Sequence, residues 1–276
     1  MKNYIMNTLG YQACVRILFA ECSDLIADLQ TAYQLEQPLL EGFTELIATL
    51  CLMTGPMDPN ERIYLKLLGD TSQRYMIGSA EGSGSIRGFV GEHFQIDILQ
   101  PFLFGKKGTI MVSKDSGSGA GYTGIIEMID RSISQNLAYY YNQSEQLPTF
   151  IKLFATKDIT RGIMVQLLPG ESPALLDLVH SAVIEHEAHF LDPQWEISFK
   201  NLQAIISDLK FMTIKPLHMQ CSCTKEQYYG LLFTLSAEEV QLILAQEETL
   251  HAACCRCGKQ YAFTAQEIAK LHGILD

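Results

Sequence analysis

Two short cysteine clips, "CSC" at 221–223 and "CCRC" at 254–257, constrain this chain more than any other stretch of it. They set Cys221-x-Cys223 and Cys254-x-x-Cys257 30 residues apart, and five of the eight cysteines fall within 37 positions. Thiolates in two such clips are the donor set of a closed tetrahedral zinc site, with no position left for water. The tail that carries them, 216–276, is short enough that a metal staple would help it fold.

The spacing also bears on redox chemistry. A disulfide across C-x-C closes a small strained ring, which raises its reduction potential and makes it labile, whereas C-x-x-C closes more comfortably. Both pairs can therefore become disulfides under a strong oxidant and revert under a thioredoxin-like reductant. A disulfide sulfur is no thiolate ligand, so oxidation would expel the metal. Metal binding is folding free energy in a small module, so the module would then unfold. The spacing reads as a switch; a constitutive structural zinc module is the competing reading. Cys14, Cys22 and Cys51 stand among apolar neighbours and are read as small core residues.

A length of 276 residues suits one large domain or a core domain with a smaller module, and 47% hydrophobic with 18% charged residues describes a globular chain. Acidic residues interrupt the apolar run at the N-terminus and no small-residue cleavage site follows, so no signal peptide is expected. No apolar stretch approaches the roughly 18 residues that span a bilayer. The expected location is cytoplasmic, where reductants direct clustered cysteines toward metal or redox chemistry. Net charge is −11, and residues 171–276 hold 14 acidic against 7 basic side chains. A phosphate-binding surface needs the opposite sign, so no nucleic-acid partner is expected; no membrane partner is expected either.

The predicted fold class is α+β: an N-terminal core domain of antiparallel sheets with helices (1–170), a metastable helical linker (171–215) and a small C-terminal zinc-binding module (216–276). The first 50 residues read as helical, with Ser23 or Asp24 as N-cap of "SDLIADLQTAYQL" and a stop at Gly55-Pro56. From residue 61 to "MID" at 128–130, short apolar runs punctuated by Gly, Asp and Ser predict antiparallel strands and hairpins. A helix ending before Pro148 and a closing strand at "GIMVQLLPG" complete the core domain. In the linker, 172–190 and 198–210 fit helices, the second with Phe199, Leu202, Ile205, Ile206 and Leu209 on one face. Helices of that length are marginal alone in water, so they are expected to dock on the core domain. In the tail, Thr224…Gln227, Ser236…Glu239 and Thr264…Glu267 are predicted capping boxes. Thiols beside such helix starts are expected to have lowered pKa values.

The cysteine arrangement, together with "GSIRGFV" (84–90), "GTIMVSKDSGSGAGYTGIIEM" (108–128), "YYYNQSEQLPT" (139–149) and "GIMVQLLPG" (162–170), resembles the redox-regulated chaperone family heat shock protein 33. The matching stretches span residues 60–260, and the first 60 residues match only in helical character. The resemblance implies that Cys221, Cys223, Cys254 and Cys257 bind one Zn²⁺ per chain in a reduced, inactive form. It implies that oxidation forms the disulfides Cys221–Cys223 and Cys254–Cys257, releases zinc and unfolds the linker. Exposed apolar surface then holds unfolding client proteins without ATP during stress, as a homodimer when oxidised and a monomer when reduced. Cys255 departs from the pattern; it is read as an idle neighbour, the alternative being a competing ligand or a mispairing thiol.

Other features yield no catalytic constellation, and the chain is not read as an enzyme. "EHEAHF", with His186 and His189 near His180, lacks the H-E-x-x-H order and is read as a solvated acidic face. "SGSGAGYTG" lacks the Lys-Ser/Thr ending of a phosphate loop and reads as a hairpin or flexible loop. Ser144 lacks a nucleophile elbow, and Glu145 is read as structural, a cap or a partner of Arg87 or Arg131. The alternative function is that of another protein class with a purely structural four-cysteine zinc module. A thiol-disulfide oxidoreductase would need a C-x-x-C in a βαβ setting, which is absent.

Overall fold

The computed structural model describes the chain except Met1, Gln34, Glu92, residues 95–102, Lys106, Gly119, Ala120, Ser207, Ser222, Cys255, Arg256, Gly258, Leu275 and Asp276. It is a mixed α+β structure and opens on an antiparallel hairpin, β1 (Tyr4–Gly10) and β2 (Val15–Glu21), where the sequence had predicted helix. The destination of the side chains explains the difference. Ile5, Leu18 and Ala20 enter one core, while Tyr4, Met6, Ile17 and Phe19 enter another on the opposite face. A strand buried on both faces reads as a nearly continuous apolar run, which periodicity alone does not separate from a buried helix.

The chain turns helical at α1 (Ser23–Ala32), whose N-cap is Cys22 rather than Ser23 or Asp24, and continues through α2 (Leu39–Met53). The punctuated apolar runs form β3 (Arg62–Leu68), β4 (Tyr75–Glu81), β5 (Ser85–Val90), β6 (Thr109–Asp115) and β7 (Gly121–Glu127), as expected. Then follow α3 (Ile133–Ser144), β8 (Thr149–Ala155) and β9 (Thr160–Leu167). Beyond them lie α4 (Ala174–Glu185), α5 (Glu187–Leu191), α6 (Phe199–Ile205), β10 (Lys210–Pro216) and β11 (His218–Met219).

The strands make a first sheet, β10-β1-β2-β9-β8, and a second, β11-β5-β4-β3-β6-β7; every pairing is antiparallel except β11 with β5. Between them runs α2, with Leu46, Ile47, Leu50, Cys51 and Leu52 fully buried. A helix that is apolar all round belongs inside a core. Glycines let both sheets approach it: a Cβ on Gly78 of β4 would stand 2.4 Å from Leu50, and one on Gly162 of β9 2.9 Å from Leu52.

The outer face of the first sheet is covered by α4–α6, whose Val179, Val183, Phe190 and Leu202 pack on Ile17, Phe19, Ile163 and Val165. Arg161 of β9 clasps this cover. Its Nε donates to Glu21 at 2.6 Å, its Nη1 to the carbonyls of Phe190 and Asp192 at 3.2 and 2.9 Å, and its Nη2 to that of Trp195 at 2.7 Å. The side chains of Arg161 and Glu21 are 5% and 13% exposed, so solvent screens the pair little.

The molecule divides into two compact units between Gln220 and Cys221. The segment 171–215 thus lies in the first unit, and so do residues 216–220. Leu217 N donates to Asn3 O and His218 N to Gly84 O, while the Gln220 carbonyl accepts from Arg87 Nε at 2.7 Å and Ser85 Oγ at 2.9 Å.

The second unit contains a 3-10 turn (Lys225–Tyr228), α7 (Tyr229–Leu232), α8 (Ala237–Ala245), the hairpin β12 (Leu250–Ala253) and β13 (Gln260–Phe263), and α9 (Ala265–Leu271). All three predicted capping boxes form, at Thr224, Ser236 and Thr264. Its core is small: Leu232, Val240, Ile243, Tyr261, Phe263 and Ile268 with two alanines, and Cys254 joins it. Among the described residues no helix is long and apolar enough to cross a membrane.

Replacing Arg161 with methionine removes five donors and leaves Glu21 buried without its cation. The expected loss is about 3 kcal/mol or more of stability in the first unit, read by urea denaturation. A larger gain in amide exchange across residues 187–197 than in the sheet beneath is the local signature; a uniform gain would contradict the clasp.

Candidate metal centre

Each clip is positioned by a local device. Cys221 and Cys223 precede the Thr224 N-cap, where the backbone leaves the extended region to enter the 3-10 turn. Cys254 and Cys257 lie in the connection from β12 to β13, which the Cys254 N–H closes by donating to the Lys259 carbonyl at 2.9 Å. The register of the hairpin, with Ala252 opposite Tyr261, fixes where this connection begins.

The four sulfurs named from the sequence converge. Sγ of Cys221 lies 3.8 Å from that of Cys254, Sγ of Cys223 lies 3.6 Å from that of Cys257, and all four are within 4.8 Å of one another. Each of these two contacts joins one clip to the other. Cys254 is 2% exposed, and the other three are half-buried. Four sulfurs about 2.3 Å from a tetrahedral zinc would lie about 3.8 Å apart along each edge, so the spacing suits a closed thiolate site. The donor set is all sulfur, the preference of a soft or borderline metal. These are residues positioned to hold a metal ion.

At Cys221 and Cys257 the direction is opposite to the expected lowering. Burial pushes the Cys221 and Cys257 thiols up, the loss of water around a thiolate outweighing the backbone hydrogen bonds that favour it. The turn after Cys223 is only a 3-10 turn and a four-residue helix, Tyr229–Leu232, too short to sum a large dipole. These protons therefore leave most readily in exchange for a cation.

Tyr261 is the functional side chain that sequence reasoning missed. Its hydroxyl lies 2.7 Å from the Cys223 carbonyl and 3.1 Å from the Cys223 sulfur, and donation to that sulfur raises its own pKa. The ring packs on Tyr228, with Lys259 Nζ 5.2 Å from its centroid. Alternation along "QYAF" puts Tyr261 and Phe263 inward, but the partner lies 38 positions earlier in the chain. Cys255 lies outside the described residues.

Nothing comparable surrounds the other sequence candidates. His186 Nδ1 faces the Ala182 carbonyl at 2.9 Å and the His186, His189 and Trp195 rings stack in sequence, while Glu185 and His189 are exposed, as a solvated acidic face requires. Glu145 is structural, but it accepts from Lys114 at 2.7 Å and Tyr140 at 2.8 Å, while Arg87 pairs with Glu81. The glycine-rich stretch turns the β6–β7 hairpin. Among the described residues the four cysteines are the one His/Cys/Asp/Glu group drawn together closely enough for a metal.

Comparison with known proteins agrees with this arrangement. The 33 kDa chaperonin of Streptococcus agalactiae serotype Ia is 24% identical over 97% of each chain. That of Lactobacillus delbrueckii subsp. bulgaricus is 26% identical over all of this chain and 98% of its own. The crystal structure of the 33 kDa chaperonin (heat shock protein 33 homolog) from Thermotoga maritima shares the fold, with a TM-score of 0.77 over 98% of each chain at 16% identity. The model of the family described as Hsp33 protein matches residues 3–264, and the chain belongs to this chaperone family.

Proposed function

We propose that this protein is an oxidation-activated, ATP-independent holdase that keeps unfolding proteins from aggregating in the cytoplasm. The observation that carries the reading is the meeting of a C-x-C and a C-x-x-C clip at one point of a unit with a small core of its own. Bound there, zinc would tie both clips into one fold, held by Cys221, Cys223, Cys254 and Cys257. Tyr261 fixes the Cys223 loop and its sulfur by hydrogen bonding.

Oxidation acts on the thiolates. One hypochlorous acid per pair accepts two electrons and becomes chloride and hydroxide, while each pair of thiolates becomes a disulfide, Cys221–Cys223 and Cys254–Cys257. Disulfide sulfurs make poor ligands, so both reactions together discharge the metal. The second unit then loses the larger part of what holds it folded, and the segment 171–215 undocks, exposing apolar surface to clients. The protein is a monomer when reduced and a homodimer when oxidised, turns over no substrate, and binds neither nucleic acid nor membrane.

Light scattering from a thermally aggregating test protein checks the switch. Pre-oxidised protein is expected to suppress scattering and reduced, zinc-loaded protein to leave it unchanged, with reductant restoring inactivity; equal behaviour of the two forms would leave only a structural metal module. Peptide mapping of the oxidised chain checks the pairing. It is expected to recover Cys221–Cys223 and Cys254–Cys257, whereas Cys221–Cys254 with Cys223–Cys257, which would join the clips to each other, would refute that assignment. For Tyr261→Phe, competition with a colorimetric chelator is expected to give about 10- to 100-fold weaker zinc binding; unchanged affinity would deny Tyr261 a supporting role.

A further inference from the structure

A cavity of about 430 Å³ opens in the first unit where the two sheets meet. Arg16 and Gln166 line it from the first sheet, Lys114 and Tyr122 from the second, and Tyr141 and Glu145 from α3. Its volume falls within the range of small-molecule sites, and none of the cysteines takes part in it.

Gln166 is 1% exposed. Its Oε1 accepts from Arg16 Nη1 at 3.3 Å, which orients the amide, and its Nε2 is buried with no acceptor among the described residues. A buried donor left unpaired is costly, and such groups mark places where a ligand or water completes the bonding. Arg16, beside it, has no carboxylate at ion-pair distance among the described residues. The other charges are already engaged. Lys114 pairs with Glu145 at 2.7 Å, Arg62 faces Glu81 at 3.7 Å, Glu61 accepts from the Asp58 N–H, and Asp115 accepts from the Gly117 N–H.

We propose that this cavity binds a small monocarboxylate with an apolar body, its carboxylate on Arg16 and Gln166. The guanidinium fork matches a planar carboxylate with two parallel hydrogen bonds, and Gln166 Nε2 supplies a third. Single charge follows from the lining: Arg62 and Lys114 are each engaged by a carboxylate, so Arg16 is one cation for one negative charge and a dianion such as phosphate would be left half-neutralised. An apolar body follows from Met53, Met57, Ile63 and Leu147 on the wall.

The test uses the full-length, reduced, zinc-loaded chain with isotope-labelled methionine methyls, since Met53 and Met57 report from the wall itself. Phenylpropionate, phenylpropanol and inorganic phosphate are titrated separately. Phenylpropionate is expected to shift the Met53 and Met57 methyl signals saturably, and Arg16→Gln to weaken that binding about tenfold. The proposal is overturned if those methyls do not move, if the alcohol or phosphate binds as tightly, or if Arg16→Gln retains full affinity. Should that variant fold poorly, the three titrations of the unsubstituted chain decide by themselves.

Discussion

The first unit depends on burying the second half of α2, from Leu46 to Met53, from every side. Leu46, Ile47, Leu50 and Leu52 have no exposed face, so no single layer covers this helix, and a sheet must close on it from each side. That requirement accounts for Gly78 and Gly162 where the strands come nearest. It also accounts for the bridging role of the segment at 210–220, where β10 edges the first sheet and β11 the second. Lys215, near the end of β10, donates to the carbonyls of Thr54, Met57 and Gly82 at 2.7, 2.9 and 3.1 Å, tying the exit of α2 to the turn after β4. Burial lowers its pKa, but three carbonyl acceptors and the nearby Asp58 and Glu61 favour the charged form.

The second unit rests on a different constraint. Its apolar core is too small to carry much stability at this chain length. Capping boxes start its helices at Ser236 and Thr264, and an ion pair at 2.6 Å joins Lys225 to Glu267. Such exposed devices contribute modestly. Four converging sulfurs positioned to hold a metal ion offer the closure that this small core does not supply.

What was legible in the sequence was local. The capping boxes and the punctuated strands from 62 to 127 depend on residues a few positions apart and form as expected, and the four cysteines of the clips come together. The first hairpin was misread because its two faces enter two cores, which erases the alternation that marks a strand. Arg161 and Tyr261 escaped notice for another reason. Their partners are distant in sequence: Glu21 for Arg161, and Cys223 for Tyr261. Composition does not foretell which carbonyl a buried side chain will find. Glu145 shows the same limit, since its structural role was readable but its partner Lys114 was not.

The cover over the first sheet joins these points to the proposed switch. Helices α5 and α6 have 5 and 7 residues, well below the length at which helices persist alone in water. Their helicity is therefore coupled to docking, and loss of one is loss of the other. Undocking would uncover two complementary apolar faces at once: Val179, Val183, Phe190 and Leu202 on the cover, and Ile17, Phe19, Ile163 and Val165 on the sheet. The Arg161 clasp opposes this, and its ion pair and carbonyl contacts are chemically inert to oxidants. In the proposed switch the sensor would be separate from the restraint: thiols in one unit would read the oxidant, while the strength of Arg161 and the apolar packing in the other would set how much of the cover responds.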